Sequence, residues 1–297
     1  MTGLVVVVQL LVVVALSPLL IGMMRQVRAR MEGRVGPGIG QPWRDLRKLM
    51  RKQPITPDGT SVVFRTAPLV STAALLDPVS DLFAVVALLT LGTVTLALAG
   101  IDTGTAFGGL GASRETTIVA LVEPTLLVAI FALSVPVGST NLGAIVGATL
   151  ADPAQVLSPV SLLAAAALVV VIIAETGRLP VDNPSTHLEL TMVHEAMILE
   201  YAGPDLALVE LAASMRLSLF LGLLANLFLP WGIATGGDPL LIGLAVPALV
   251  VKVAALGALL AAAEVFLAKL RLFRVPELLA GSFVMGLLAV GASYFLA

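Results

Sequence analysis

Eight ionisable side chains crowd one stretch, Glu175, Arg178, Asp182, His187, Glu189, His194, Glu195 and Glu200, and five more, Glu123, Glu210, Arg216, Lys252 and Glu264, interrupt otherwise apolar runs. A carboxyl group that burial makes reluctant to ionise can both accept and release a proton near neutral pH, so this set suits proton exchange. Inside a membrane a charge costs at least roughly 2.5–3.5 kcal/mol on insertion scales, so such groups face protein or water. The bland alternative is that the buried charges pair only to hold helices together, that Glu264 reaches the interface near Lys269, and that residues 175–201 form a solvated loop of mixed charge. An acidic funnel at the mouth of the membrane domain fits better, because so much carboxylate joins two apolar runs. Pro180 and Pro184 break the stretch early, while Glu189 and Glu200 align if residues 187–201 are helical. Pro124 and Pro247 lie close to Glu123 and Lys252 and free backbone carbonyls that can admit water beside those charges.

Other chemistries find less support. Gly36-Pro37-Gly38-Ile39-Gly40 follows a basic segment with no strand before it, which argues against a nucleotide-binding turn. His194-Glu195 lacks the second histidine of a zincin motif, since Ile198 stands where it is needed. His187 and His194 can share a helix face, but no third metal ligand accompanies them. With no Cys in the chain there is no disulfide and no thiolate for an iron–sulfur cluster, so any redox metal sits in another subunit.

The elements that must position these residues are apolar. The chain is 58% hydrophobic and 12% charged over 297 residues, too little polar surface for a soluble globule of this size. Residues 3–24 carry no charge and reach about 33 Å as helix, enough to cross a hydrocarbon core of about 30 Å. They read as a retained span, because a secretory signal wants a basic start and a shorter apolar run. Further apolar runs cover residues 82–99, 116–137, 159–174, 206–231, 239–267 and 278–296. None alternates strictly, so helices are expected and not barrel strands. Residues 67–76 form a shorter apolar run, about 15 Å as helix.

Ten of the 17 Lys and Arg residues fall between Arg25 and Arg65. If residues 67–76 cross the membrane, Arg114, Arg178, Lys269, Arg271 and Arg274 join those ten on the cytoplasmic side and none lies outside. Two crossings between Thr66 and Gly100 are nevertheless too tight, which predicts a thin second span or an anomaly at Leu76-Asp77. The reading is an all-α integral membrane protein of about eight transmembrane helices, the second short, with both termini outside the cell membrane. It forms a single membrane domain over 1–297, with a basic cytoplasmic loop at 25–67 and an acidic one at 175–203. Trp43, Leu46, Leu49 and Met50 form a helical stripe flanked by Arg44, Arg47, Lys48 and Arg51, the pattern of a basic interfacial helix that meets lipid or a partner. A weaker stripe of Leu142, Ile145, Val146 and Leu150 predicts a second interfacial helix on the outer side.

Glu175-Thr176-Gly177-Arg178-Leu179-Pro180-Val181-Asp182-Asn183-Pro184, with Glu189-Leu190 and Glu200-Tyr201, resembles the large cytoplasmic loop of the complex I subunit 1 family. Arg34-Val35-Gly36-Pro37 and Gln41-Pro42 with Asp45 and Lys48 are similar to its first loop, and Arg114 and Glu123 to its Arg and buried Glu. The run from Thr186 to Glu195, Ser113-Arg114-Glu115 and the segment from Lys269 to Glu277 resemble the hydrogenase branch, the membrane subunits of formate hydrogenlyase and of membrane-bound nickel–iron hydrogenases.

The resemblance implies an anchor and proton-coupling subunit without a cofactor of its own, the nickel–iron centre and iron–sulfur clusters lying in partner subunits. Implied partners are soluble hydrogenase large and small subunits, iron–sulfur subunits and antiporter-like membrane subunits, with membrane lipid around them and no nucleic acid. By the same resemblance Arg28, Arg34, Gln41, Asp45, Lys48, Glu175, Arg178, His187, His194 and Glu195 dock the soluble arm. A proton pathway runs through Glu123, Asp182, Glu189, Glu200, Glu210, Lys252 and Glu264. Alternatives are a quinone-site subunit of a complex I-type oxidoreductase and a secondary ion transporter.

Overall fold

A computed structural model of the chain describes residues 2–76, 79–182, 192–234 and 239–296. Its helices in order are α1 (Thr2–Met31), α2 (Gln41–Leu49), α3 (Val62–Ala74), α4 (Leu82–Asp102), α5 (Ala106–Ser134) and α6 (Leu142–Ala151). They are followed by α7 (Pro159–Glu175), α8 (His194–Ile198), α9 (Gly203–Phe228), α10 (Pro239–Phe266) and α11 (Val275–Leu296). Among the described residues the only extended pairing is an isolated bridge between Asp81 and Asn141.

The all-helical membrane architecture expected from composition is the one observed. Helices α1, α4, α5, α9, α10 and α11 are each long and apolar enough to cross a bilayer. Helix α7 has 17 residues and α3 has 13, so these two are shorter than a full crossing of about 20 residues. Residues 77 and 78, where the length count predicted an anomaly, lie outside the described residues. Both expected interfacial stripes are helices, α2 and α6.

Local chemistry sets the helix ends. Asp81 accepts from the Phe83 and Ala84 N–H groups at the start of α4, Thr105 from Gly108 at the start of α5, and Asn141 from Gly143 and Ala144 at the start of α6. At the start of α3 the Ser61 hydroxyl accepts from Val63, while Asp102 at the end of α4 accepts from the Ser61 and Phe64 amides. Two N–H groups that a helix start leaves unpaired are thereby satisfied from a neighbouring helix.

Helix α5 lies at the centre of one half, packed against α4, α7, α8 and α11, while α9 packs against α1, α3 and α10 in the other. One large apolar core joins the two halves through residues such as Leu82, Ile130, Leu168, Met215 and Phe220. A smaller one gathers Phe64, Leu96, Met197, Tyr201 and Val209. There the Phe64 and Tyr201 rings stack with centroids 4.1 Å apart, and the Tyr201 hydroxyl donates to the Phe64 carbonyl at 2.8 Å. This clamp ties α3 to the chain entering α9.

Candidate functional site

The site begins with an arginine held among three helices. Arg216, inside α9, donates to the Thr93 hydroxyl and, at 3.1 Å, to the Leu89 carbonyl of α4, and pairs with Glu175 at the end of α7 at 3.4 Å. The notch it enters exists because residue 92 is glycine: a Cβ there would stand 2.9 Å from Arg216 Nη2. Desolvating a guanidinium is tolerable only when its donors are met, and here Thr93 Oγ1, Leu89 O and Glu175 Oε2 meet them.

Beside this pair lies a cavity of about 70 Å³ whose lining includes Glu115, Glu175, Asp182, His194 and Arg216. At a liquid volume of roughly 30 Å³ per molecule it has room for about two waters. Glu115 enters from α5 and Asp182 from the turn after α7, where Lys269 Nζ donates to its Oδ1 at 3.1 Å. His194 is brought in by α8, which is pressed close to α5 because residue 111 is glycine; a Cβ there would meet the Val193 carbonyl at 2.8 Å. Arg114 Nη1 holds the same segment by donating to the Met192 carbonyl at 2.9 Å. Burial, with the positive charge of Arg216 adding to it and Asp182 opposing, pulls His194 down to about 4, so its ring is neutral at neutral pH.

A second cluster braces the same end of the bundle. Glu264, almost fully buried at the end of α10, faces Arg178 at 3.3 Å and Arg28 at 3.7 Å. The Leu270 amide donates to the Pro180 carbonyl at 2.8 Å. The basic first loop, the acidic loop and the segment after α10 therefore converge.

Of the residues singled out in the sequence, the structure brings Glu175, Asp182 and His194 together. Glu175, Arg178 and His194, expected to dock the soluble arm, are half-buried, with Glu175 and His194 on the cavity. Glu123, half-buried on α5, is in electrostatic reach of Glu175. Glu210 is exposed on α9 with Arg25 and Asp45 in electrostatic reach, and Glu200 is half-buried in the turn after α8. Lys252 stands apart and donates to the Leu229 carbonyl at 2.8 Å, beyond the end of α9. Leu229 is thirteen residues from Arg216, which is about 20 Å at the helical rise.

Of the first loop, Arg34 and Lys48 are exposed, Gln41 donates to Asp45 at 2.9 Å, and Arg28 is shared between Glu264 and Glu32. Glu195 is half-buried on α8. His187 and Glu189 lie outside the described residues, and the described part of residues 187–201 is helical only over His194–Ile198.

Two members of the site were not among the expected pathway or docking residues. Glu115 sits next to Arg114, where the sequence reads as a loop edge, and Arg216 stood out only as a charge within a span. Among the described residues no group of three His, Asp or Glu side chains could hold a metal ion.

The family described as NADH dehydrogenase matches residues 3–292. Hydrogenase-4 component C of Escherichia coli (strain K12) is 34% identical over 239 residues, 75% of this chain and 74% of that protein. Formate hydrogenlyase subunit 4 of the same organism is 32% identical over 301 residues, 95% of each. An NADH-quinone oxidoreductase subunit of Thermomicrobium roseum is 33% identical over 248 residues, 69% of this chain and 70% of that one. Among solved structures, a chain of the membrane-bound sulfane sulfur reductase, an archaeal respiratory membrane complex, shares the fold with a TM-score of 0.83 over 98% of this chain and 99% of that chain, at 20% identity. The chain belongs to the NADH dehydrogenase (complex I subunit 1) family, as a membrane subunit of an oxidoreductase complex of the hydrogenase, formate hydrogenlyase and complex I type.

Proposed function

We propose that this chain anchors the soluble redox arm of a membrane-bound nickel–iron hydrogenase or formate hydrogenlyase-like complex and links electron transfer there to proton movement. The observation that carries the reading is the cavity of about 70 Å³, lined by Glu115, Glu175, Asp182, His194 and Arg216, beneath the converging loops. A change of charge or position in a partner seated on those loops acts through Asp182 and Lys269 on the cavity, and through Arg28, Arg178 and Glu264 on α1 and α10. With no cysteine in the chain, nickel–iron and iron–sulfur chemistry belongs to the partners. The small volume favours water and protons over a quinone head group, since ligand pockets run to about 300–1,000 Å³. In this reading the loop end of the bundle faces the cytoplasm and both termini lie outside.

The test is the whole complex in sealed vesicles, with proton uptake followed during hydrogen turnover in wild type, Glu123→Gln and Asp182→Asn. Glutamine and asparagine keep size and hydrogen-bonding reach but carry no charge, so the first removes a carboxylate from the path and the second a charge from the cavity wall. Uptake should fall well beyond any loss of assembled complex. A wild-type complex that turns over without moving protons defeats the reading.

A further inference from the structure

Two of the three carboxyl groups around the cavity are pinned by a cation. Glu175 pairs with Arg216 at 3.4 Å and Asp182 with Lys269 at 3.1 Å. Outside the cavity, the buried carboxylate of Glu264 sits between Arg178 and Arg28. Glu115 differs. It is 8% exposed, its residue lines the cavity, and among the described residues no ion pair or hydrogen bond reaches its carboxyl group.

Protonating Glu175 or Asp182 forfeits an ion pair that already offsets the cost of burying two charges. Protonating Glu115 forfeits none. When Glu115 ionises, its charge lies in reach of Arg216, which favours it, and of Glu175 and Asp182, which oppose it. Moving either neighbouring carboxylate, or drawing Arg216 away, therefore changes the proton affinity of Glu115. The other groups set around it are His194 on α8 and, further along α5, Glu123.

We infer that Glu115 is the carboxyl group that takes up and hands on the proton in this cavity, while Glu175 and Asp182 act as fixed charges that set its affinity. On uptake a carboxylate oxygen of Glu115 forms an O–H bond as a hydronium or water in the cavity gives up its proton. On release the same bond returns the proton to water, and no electron is exchanged. The inference rests on the proton-coupling reading above and names its exchanging group, which the family resemblance did not assign.

The experiment uses the whole complex in vesicles, with wild type, Glu115→Gln and Glu115→Asp normalised to assembled complex. Proton uptake in Glu115→Gln should be at least tenfold below wild type. Wild-type uptake in Glu115→Gln overturns the inference and leaves the coupling reading standing, whereas absent uptake in the wild type defeats both. A second measurement covers the case in which Glu115→Gln does not assemble. Infrared difference spectra of the wild-type complex between low and high pH should contain a protonated-carboxyl band that shifts in Glu115→Asp, and identical spectra for the two overturn the inference.

Discussion

Replacing Arg216 with Met removes the cation from a pair whose side chains are only 12% and 8% exposed, leaving Glu175 buried without its counter-charge. Breaking a buried pair from one side costs about 3–5 kcal/mol, because the remaining charge keeps its desolvation penalty and loses the attraction that offset it. At roughly 1.4 kcal/mol per tenfold, the folding equilibrium shifts by about two to three and a half powers of ten. The bonds to Thr93 and Leu89 are worth about 1 kcal/mol each and are lost as well. Adding Glu175→Gln removes the stranded charge, so the double variant should recover all but about 1–2 kcal/mol. Unfolding of the four chains of this cycle by denaturing detergent in mixed micelles reads the energies directly. If Arg216→Met costs less than about 1 kcal/mol, or if the second substitution brings no recovery, the argument that Arg216 balances Glu175 is wrong.

Tyr201→Phe keeps the stack on Phe64 but loses the bond to its carbonyl, and thermal unfolding should show a loss of about 1 kcal/mol. Gly92→Leu fills the notch that Arg216 occupies and should destabilise by about 1–3 kcal/mol in the same unfolding assay, with Gly109→Leu, where nothing lies within 4 Å, as the mild control. His194 is held at about 4, below its unfolded value near 6.5, so the unfolded chain binds the extra proton between those values. Its contribution is intact above pH 6.5 and is lost as pH falls toward 4, by at most about 3 kcal/mol, and unfolding of His194→Gln followed from pH 7 to pH 5 should lack that loss. Single cysteines at positions 52 and 271 should be labelled from the cytoplasmic side only and one at position 139 from the outside only; external labelling at 271 refutes the proposed orientation.

Much of this fold is legible in the sequence because its signals are local. The stripe of Trp43, Leu46 and Leu49 gave α2, with Leu46 turned into the fold, and the weaker stripe of Leu142, Ile145, Val146 and Leu150 gave α6. The crowding of Lys and Arg picked out the loops that converge. Helix starts were harder. The apolar count began the fifth helix at residue 116, whereas it begins at Ala106, capped by Thr105 and running through Gly108, Gly109 and Gly111. Those glycines weaken the helix signal in isolation, yet Gly111 is what lets α8 approach. That shift moves Glu115 from a loop edge to the third turn of a central helix, which is why its place at the cavity was not apparent. The pairing of Glu175 with Arg216 spans 41 residues and depends on a notch in a third helix, so no periodicity announces it.

Helix α3, with 13 residues, is about 20 Å long. Val62, Val63 and Leu69 on it are exposed. In the proposed eight-span reading α3 crosses the membrane, and a bilayer whose hydrocarbon is about 30 Å thick then has to thin by up to about 10 Å to meet that surface, at a fraction of a kcal/mol per ångström. A membrane subunit laid along α3 would then replace the deformed lipid and release that elastic cost. The bilayer itself then supplies a force for assembly, stronger in thick membranes than in thin ones, without any specific contact between the subunits.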